Sequence, residues 1–197
     1  MPVLPRPLVL CVLLAAVLPL GSCATLQEIA NLRNVDFAIE NVTGTNLAGV
    51  NVQDVRSYND LGGGEVARLL AALAGGEMPL SFTLNVGASN PAANSVNARL
   101  VQLDWTLLLD NTETISGIFN DERVIPPGSE VVLPISMELD LVRFFGRNAQ
   151  DLVELAAAVA GQGTKEIALR ARPTVTTPLG PITYPSEITI LRQDVGP

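Results

Sequence analysis

The stretch Leu80-Ser81-Phe82-Thr83-Leu84-Asn85-Val86 constrains this chain most. Apolar residues occupy every second position, which places all four on one face of a pleated strand. That face has to be buried, so the strand needs a second layer to cover it. Val131, Leu133, Ile135, Met137 and Leu139 repeat the same period. Val35, Phe37 and Ile39 do so earlier, followed by Val50 and Val52 after a turn expected over Thr43-Gly44-Thr45-Asn46. Ile167, Leu169 and Ala171, then Ile182, Tyr184, Ile188 and Ile190, do so late in the chain, on either side of a turn at Pro178-Leu179-Gly180-Pro181. Asn90-Pro91 and Pro126-Pro127-Gly128 interrupt the runs, because proline lacks an amide hydrogen and restricts the residue before it. About seven or eight short strands between Pro/Gly turns predict a mainly β protein, an antiparallel β-sandwich.

One strand changes phase. Ala98 and Leu100 share a face, whereas Val101, Leu103, Trp105, Leu107 and Leu109 share the other, so a β-bulge is expected between Leu100 and Val101. Trp105 then belongs to the core set. Asp110-Asn111-Thr112 turns the chain back into Ile115–Phe119. Two segments follow a helical period instead. In Glu65–Ala74, Val66, Leu69, Leu70 and Leu73 fall on one face, with Gly75-Gly76 at the end. Leu141–Ala160 contains a second helix, clearest over Asn148–Ala160, which is Ala-rich and ends at Gly161. Leu69, Leu70, Leu73, Phe144 and Phe145 are the candidates to line an apolar groove beside these helices.

The chain has no histidine, which removes the Ser-His-Asp triad, the Cys-His pair and imidazole metal ligands. Aromatic residues are 4% of the chain, too few to line a sugar-hydrolase cleft. Asp110, Glu113, Asp121 and Glu122 gather in adjacent loops, but their spacing matches no calcium loop and reads as solvated charge. No catalytic residue, metal site or cofactor is therefore expected. The net charge of −8 with scattered cations argues against nucleic-acid binding, which needs clustered Lys and Arg.

The N-terminus carries a targeting pattern. Arg6 is the only charge before Cys23, and Leu8–Leu18 is an apolar run too short to span a bilayer. Leu20-Gly21-Ser22-Cys23 resembles the bacterial lipobox, a leucine and two small residues before a cysteine. That resemblance implies removal of residues 1–22 and diacylation of the Cys23 thiol. Ordinary cleavage at Ser22-Cys23-Ala24 is the other reading. An acylated Cys23 is a membrane tether, since two or more chains hold stably where one does not. The absence of Asp at position 24 favours, by the same resemblance, the outer membrane, with the domain facing the periplasm. Residues 23–32 form a spacer and 33–192 the domain.

Within that domain LSFTLNV, Ser89-Asn90-Pro91, LVQLDWTLLLDN, Ile115-Ser116-Gly117 and Ile125-Pro126-Pro127-Gly128 followed by VVLPISMELDL carry a resemblance. They are similar to the late embryogenesis abundant (LEA) type 2 family, also called the water-stress-and-hypersensitive-response (WHy) domain. The family commonly has asparagine where Ala92 stands. The resemblance implies a fibronectin-type-III-like sandwich carrying one or two short helices. It further implies a non-enzymatic role in desiccation or other envelope stress. The alternative is a periplasmic binding module for a lipid or a partner protein in envelope assembly or transport.

Overall fold

A computed structural model describes residues 35–191, apart from 95, 178 and 179. The expectations for residues 1–32, with Leu20, Gly21, Ser22 and Cys23, and for Pro178-Leu179, lie outside the described residues. The strands are β1 (Asp36–Leu47), β2 (Val50–Asn51), β3 (Pro79–Asn90), β4 (Ala98–Leu109), β5 (Thr112–Phe119), β6 (Arg123–Ile125), β7 (Ser129–Asp140), β8 (Ile167–Thr177), β9 (Gly180–Thr183) and β10 (Ile188–Leu191). Helices are α1 (Gly63–Gly75), a single turn α2 (Val142–Phe145) and α3 (Ala149–Val159). The fold is thus mainly β; the helical segment 141–160 is divided into α2 and α3, and a 3-10 turn at Tyr58–Asp60 is one the sequence reading does not give.

One sheet has the order β2-β1-β3-β7; the other runs β10-β8-β4-β5, with β6 beside β4 and β9 beside β8. All pairings are antiparallel. The alternating residues meet between the sheets. Leu80, Leu84 and Val86 of β3 and Leu133 of β7 are wholly buried, and they face Leu103, Leu107 and Leu109 of β4 and Leu169 of β8 across one core. Removing each such side chain from water contributes about 2 kcal/mol, so the period-2 pattern fixes which face closes. The β4–β8 register shifts between Leu100 and Gln102, which is the bulge expected from the change of phase.

β1 departs from the reading of the sequence. Thr43–Asn46 is not a turn: the strand continues to Leu47, and the chain reverses at Ala48-Gly49, where φ is 46° and 81°. Two consecutive positive φ values are what a tight type I′ hairpin requires. Gly44, at φ 67°, instead sits in a second bulge, marked by a register shift against β3. A bulge strands backbone groups that the ladder would have paired. Gln53 meets them: its Oε1 accepts from Thr45 N at 3.1 Å, and its Nε2 donates to Val42 O at 3.1 Å and Ala160 O at 3.4 Å. That one side chain therefore joins the bulge to the end of α3.

α3 is mostly buried, from Leu152 to Val159 except Glu154. Asn148 caps it by accepting from Gln150 N at 3.0 Å, and the alanines let it lie close to β1. β7 is the free edge of its sheet, and Pro134 stands in its middle. Edge strands are where proline is tolerated.

The end of β3 holds a buried polar cluster. Asn90 is 1% exposed. Its Nδ2 donates to Ile125 O at 2.8 Å and Val96 O at 3.1 Å, while its Oδ1 accepts from Asn94 Nδ2 at 2.5 Å. Its own carbonyl accepts from Gly128 N at 2.7 Å. The Pro91 turn, the start of β4, the end of β6 and the Pro126-Pro127-Gly128 loop are thereby fastened to one residue. Asn90→Ala leaves two carbonyls and an amide unpaired in a dry site, and should cost about 2–3 kcal/mol. Urea unfolding at constant slope would show this as a lower midpoint; a midpoint within error of wild type would mean that the cluster is not holding the loops.

Candidate functional site

The five apolar residues picked from the sequence sit on α1 and α2, at one end of the sandwich. α1 begins at Gly62, whose amide donates to Glu65 Oε2 at 2.8 Å, and ends at Gly76 in the left-handed region at φ 90°. Asp140 joins the two helices to the sheet: its Oδ1 accepts from Met78 N at 2.7 Å and from Val142 N at 3.1 Å. The Arg147 guanidinium lies against Gly76, where an added Cβ would be 3.2 Å from it. The helical segments therefore adjoin one another.

The five side chains do not share one environment. Leu69 is wholly buried and is core, whereas Leu70 is 48% exposed. Leu73, Phe144 and Phe145 are half-buried against the core. The two phenyl rings are 6.3 Å apart at 54°, and the Arg143 guanidinium lies 5.9 Å from the Phe144 ring. Periodicity identified the helix face, but it could not separate Leu69 from Leu70, which are neighbours on the same turn.

A shallow depression of about 550 Å³ lies on the outside of the six-stranded sheet, lined by Gln102, Asp104, Thr106, Ser116, Ile118 and Arg170 among others. Its polar groups serve one another. The Thr106 and Ser116 hydroxyls are 2.8 Å apart, Gln102 Nε2 donates to Asp104 Oδ1 at 2.7 Å, and Arg170 pairs with Glu113. The two hydroxyls therefore bond each other, and Asp104 bonds Gln102.

The acidic loop residues are likewise spoken for. Asp110 pairs with Lys165 at 3.1 Å, Asp121 with Arg123 at 3.4 Å, Glu122 with Arg99 at 2.5 Å, and Glu113 with Arg170. Each carboxylate meets a different cation, so the four do not converge on one point. Among the described residues no group of three or more acidic, cysteine or histidine side chains is arranged to hold a metal ion. Nor is any helix among them long and apolar enough to cross a membrane.

Trp105 is 9% exposed, in the core as its phase predicts. It stands opposite Gly117 in the β4–β5 ladder, and a Cβ at Gly117 would lie 2.9 Å from its Cε2 and 3.0 Å from its Cη2. The indole thus occupies the space a side chain at 117 would fill. The pairing explains why glycine stands in an edge strand, where it otherwise weakens pairing.

No protein-family model matches the chain, and no curated protein does. Among solved structures, the chain is similar to a protein from Archaeoglobus fulgidus at 14% identity and TM-score 0.35, covering 58% of this chain and 81% of that one. It is similar to a putative LEA protein, At2g46140.1, at 14% identity and TM-score 0.37, covering 92% of this chain and 84% of that one. It is also similar to At1g01470 from Arabidopsis thaliana at 16% identity and TM-score 0.35, covering 80% and 83%. None of these likenesses bears on activity.

Gly117→Ala should push the indole out of its place and cost about 1–3 kcal/mol. Trp105 is the sole tryptophan, so its emission reports the site directly. The variant should show a red-shifted maximum and earlier urea unfolding. An unmoved spectrum with unchanged stability would show that the ring does not rest on Gly117.

Proposed function

We propose that this chain is a non-enzymatic LEA type 2 protein, held on the cell envelope by acyl chains on Cys23, that protects envelope components during drying or other stress. The observation that carries the reading is the use made of the stretches that resemble the family. Asn90-Pro91 and Ile125–Gly128 form the buried polar cluster, and Trp105 and Gly117 form the cross-strand pair. They build and lock a two-sheet body; none of them presents reactive groups to solvent. Charged side chains around the β4–β5 hairpin and β8 pair with one another, and the absence of histidine supports the same reading. The lipobox-like Leu20-Gly21-Ser22-Cys23 supports the anchor, the outer membrane and a periplasmic orientation.

The second reading, a binding module for a lipid or a partner protein, is favoured by the exposed Leu70 at the same end as the half-buried Phe144 and Phe145. Native mass spectrometry of delipidated protein with envelope lipid extract would then show a retained lipid that Leu70→Asp abolishes. No adduct on the wild-type protein counts against it.

For the leading reading, a deletion strain should survive drying less well than its parent. Cys23→Ala should move the protein from the membrane pellet to the soluble fraction and leave the domain folded. Equal survival of deletion and parent would reject the protective role. Retention of the Cys23→Ala chain in the pellet would reject the tether.

A further inference from the structure

On the outer face of the four-stranded sheet, two glutamates reach toward each other across β3. Glu40 comes from β1, at the place where its register with β3 shifts between Ile39 and Asn41. Glu130 comes from β7, opposite Ser89. Beneath them is Gly87, where an added Cβ would lie 2.5 Å from Oε1 of each. The two oxygens are therefore no farther apart than twice that distance, and glycine is the residue that leaves them room.

The two carboxyl groups are placed so that one, if it carries a proton, can donate to the other. Two ionised carboxylates have acceptors only, so a bond between them needs a proton. No cation relieves the pair: among the described residues neither glutamate forms an ion pair. The neighbouring charges on this sheet are acidic too. Asp36 of β1 lies in the row of Ser89 and Glu130, Glu138 stands farther along β7, and β2 and β3 carry no ionisable side chain. Desolvation against the sheet, then the hydrogen bond to Glu130, then its like charge hold the Glu40 carboxyl above the usual glutamate range.

We propose that the Glu40 carboxyl keeps a proton and donates it to a Glu130 oxygen above Gly87, and that this contact ties β1 to β7 and makes the sheet more stable in mild acid than at neutral pH. Proton linkage sets the sign. A carboxyl that binds its proton more tightly in the folded chain contributes stability below the ordinary glutamate range and loses it as pH rises through the folded value. Most surface glutamates, held by cations, behave in the opposite way.

Thermal unfolding of the full chain tests this against Glu130→Gln, which keeps the shape and removes one charge. Between about pH 7 and about pH 4.5, wild type should gain about 2 °C or more relative to the variant. Glu40→Gln should reproduce the effect. Carboxyl carbon NMR of the wild-type chain gives a second readout that does not depend on a variant folding. Glu40 should titrate above the ordinary range in wild type and fall toward that range in Glu130→Gln. Parallel melting curves, or a Glu40 titration in the ordinary glutamate range, would overturn the proposal.

Discussion

The closed end of this sandwich depends on one carboxamide. Asn90 has two donors and an acceptor, and in a dry site each must find a partner. They find carbonyls at 96 and 125 and the amide of Asn94, while its backbone carbonyl takes the amide of Gly128. These partners belong to two loops and to β6, a strand of the other sheet. An apolar residue at 90 could pack, but it could not fix how those loops cross. Proline at 91 completes the arrangement, because it ends β3 at the point where the carboxamide has to turn inward. Asn94 N then closes the turn on Pro91 O at 2.9 Å. Asn94, two places beyond Ala92, supplies the neighbouring amide, and Ala92 sits where an added Cβ on Gly128 would be 3.4 Å away.

How much of this could be read in advance varies with the range of the interaction. β3 and β7 were legible because burial on one face imposes a period of two over adjacent residues. The bulge after Leu100 was legible for the same reason, since an inserted residue shifts the phase of every later position in the strand. Gly44 was misread because a glycine among threonines and asparagine suits both a turn and a bulge. Gln53, which decides between them by meeting the stranded groups, lies outside that local window. Asn90 and Pro91 were read as a strand stop, which they are. The partners at Ile125 and Gly128 lie 35 and 38 positions away, beyond any local pattern. On α1, neighbouring leucines were assigned one face, yet Leu69 is sealed in the core and Leu70 meets solvent.

The surface chemistry has a consistent character. Cations are paired with carboxylates around the β4–β5 hairpin and along β8, and hydroxyls pair across strands, as in Thr106 with Ser116 and Thr174 with Thr183. Exposed ion pairs of this kind contribute little each, about 0–1 kcal/mol. Their effect is to leave few polar groups poised for a reaction. The outer face of the other sheet is the exception, where Glu40 and Glu130 face each other and Gly87 gives them space.

The proline at position 134 has a consequence for crowded conditions. When copies of a chain are brought together, open strand edges become templates for intermolecular pairing. The rim formed by β7 presents a missing hydrogen-bond donor at its midpoint and a negative charge near either end, at Glu130 and Glu138. A second copy laid along that rim would meet a gap and two like charges, so crowded neighbours are kept from joining edge to edge.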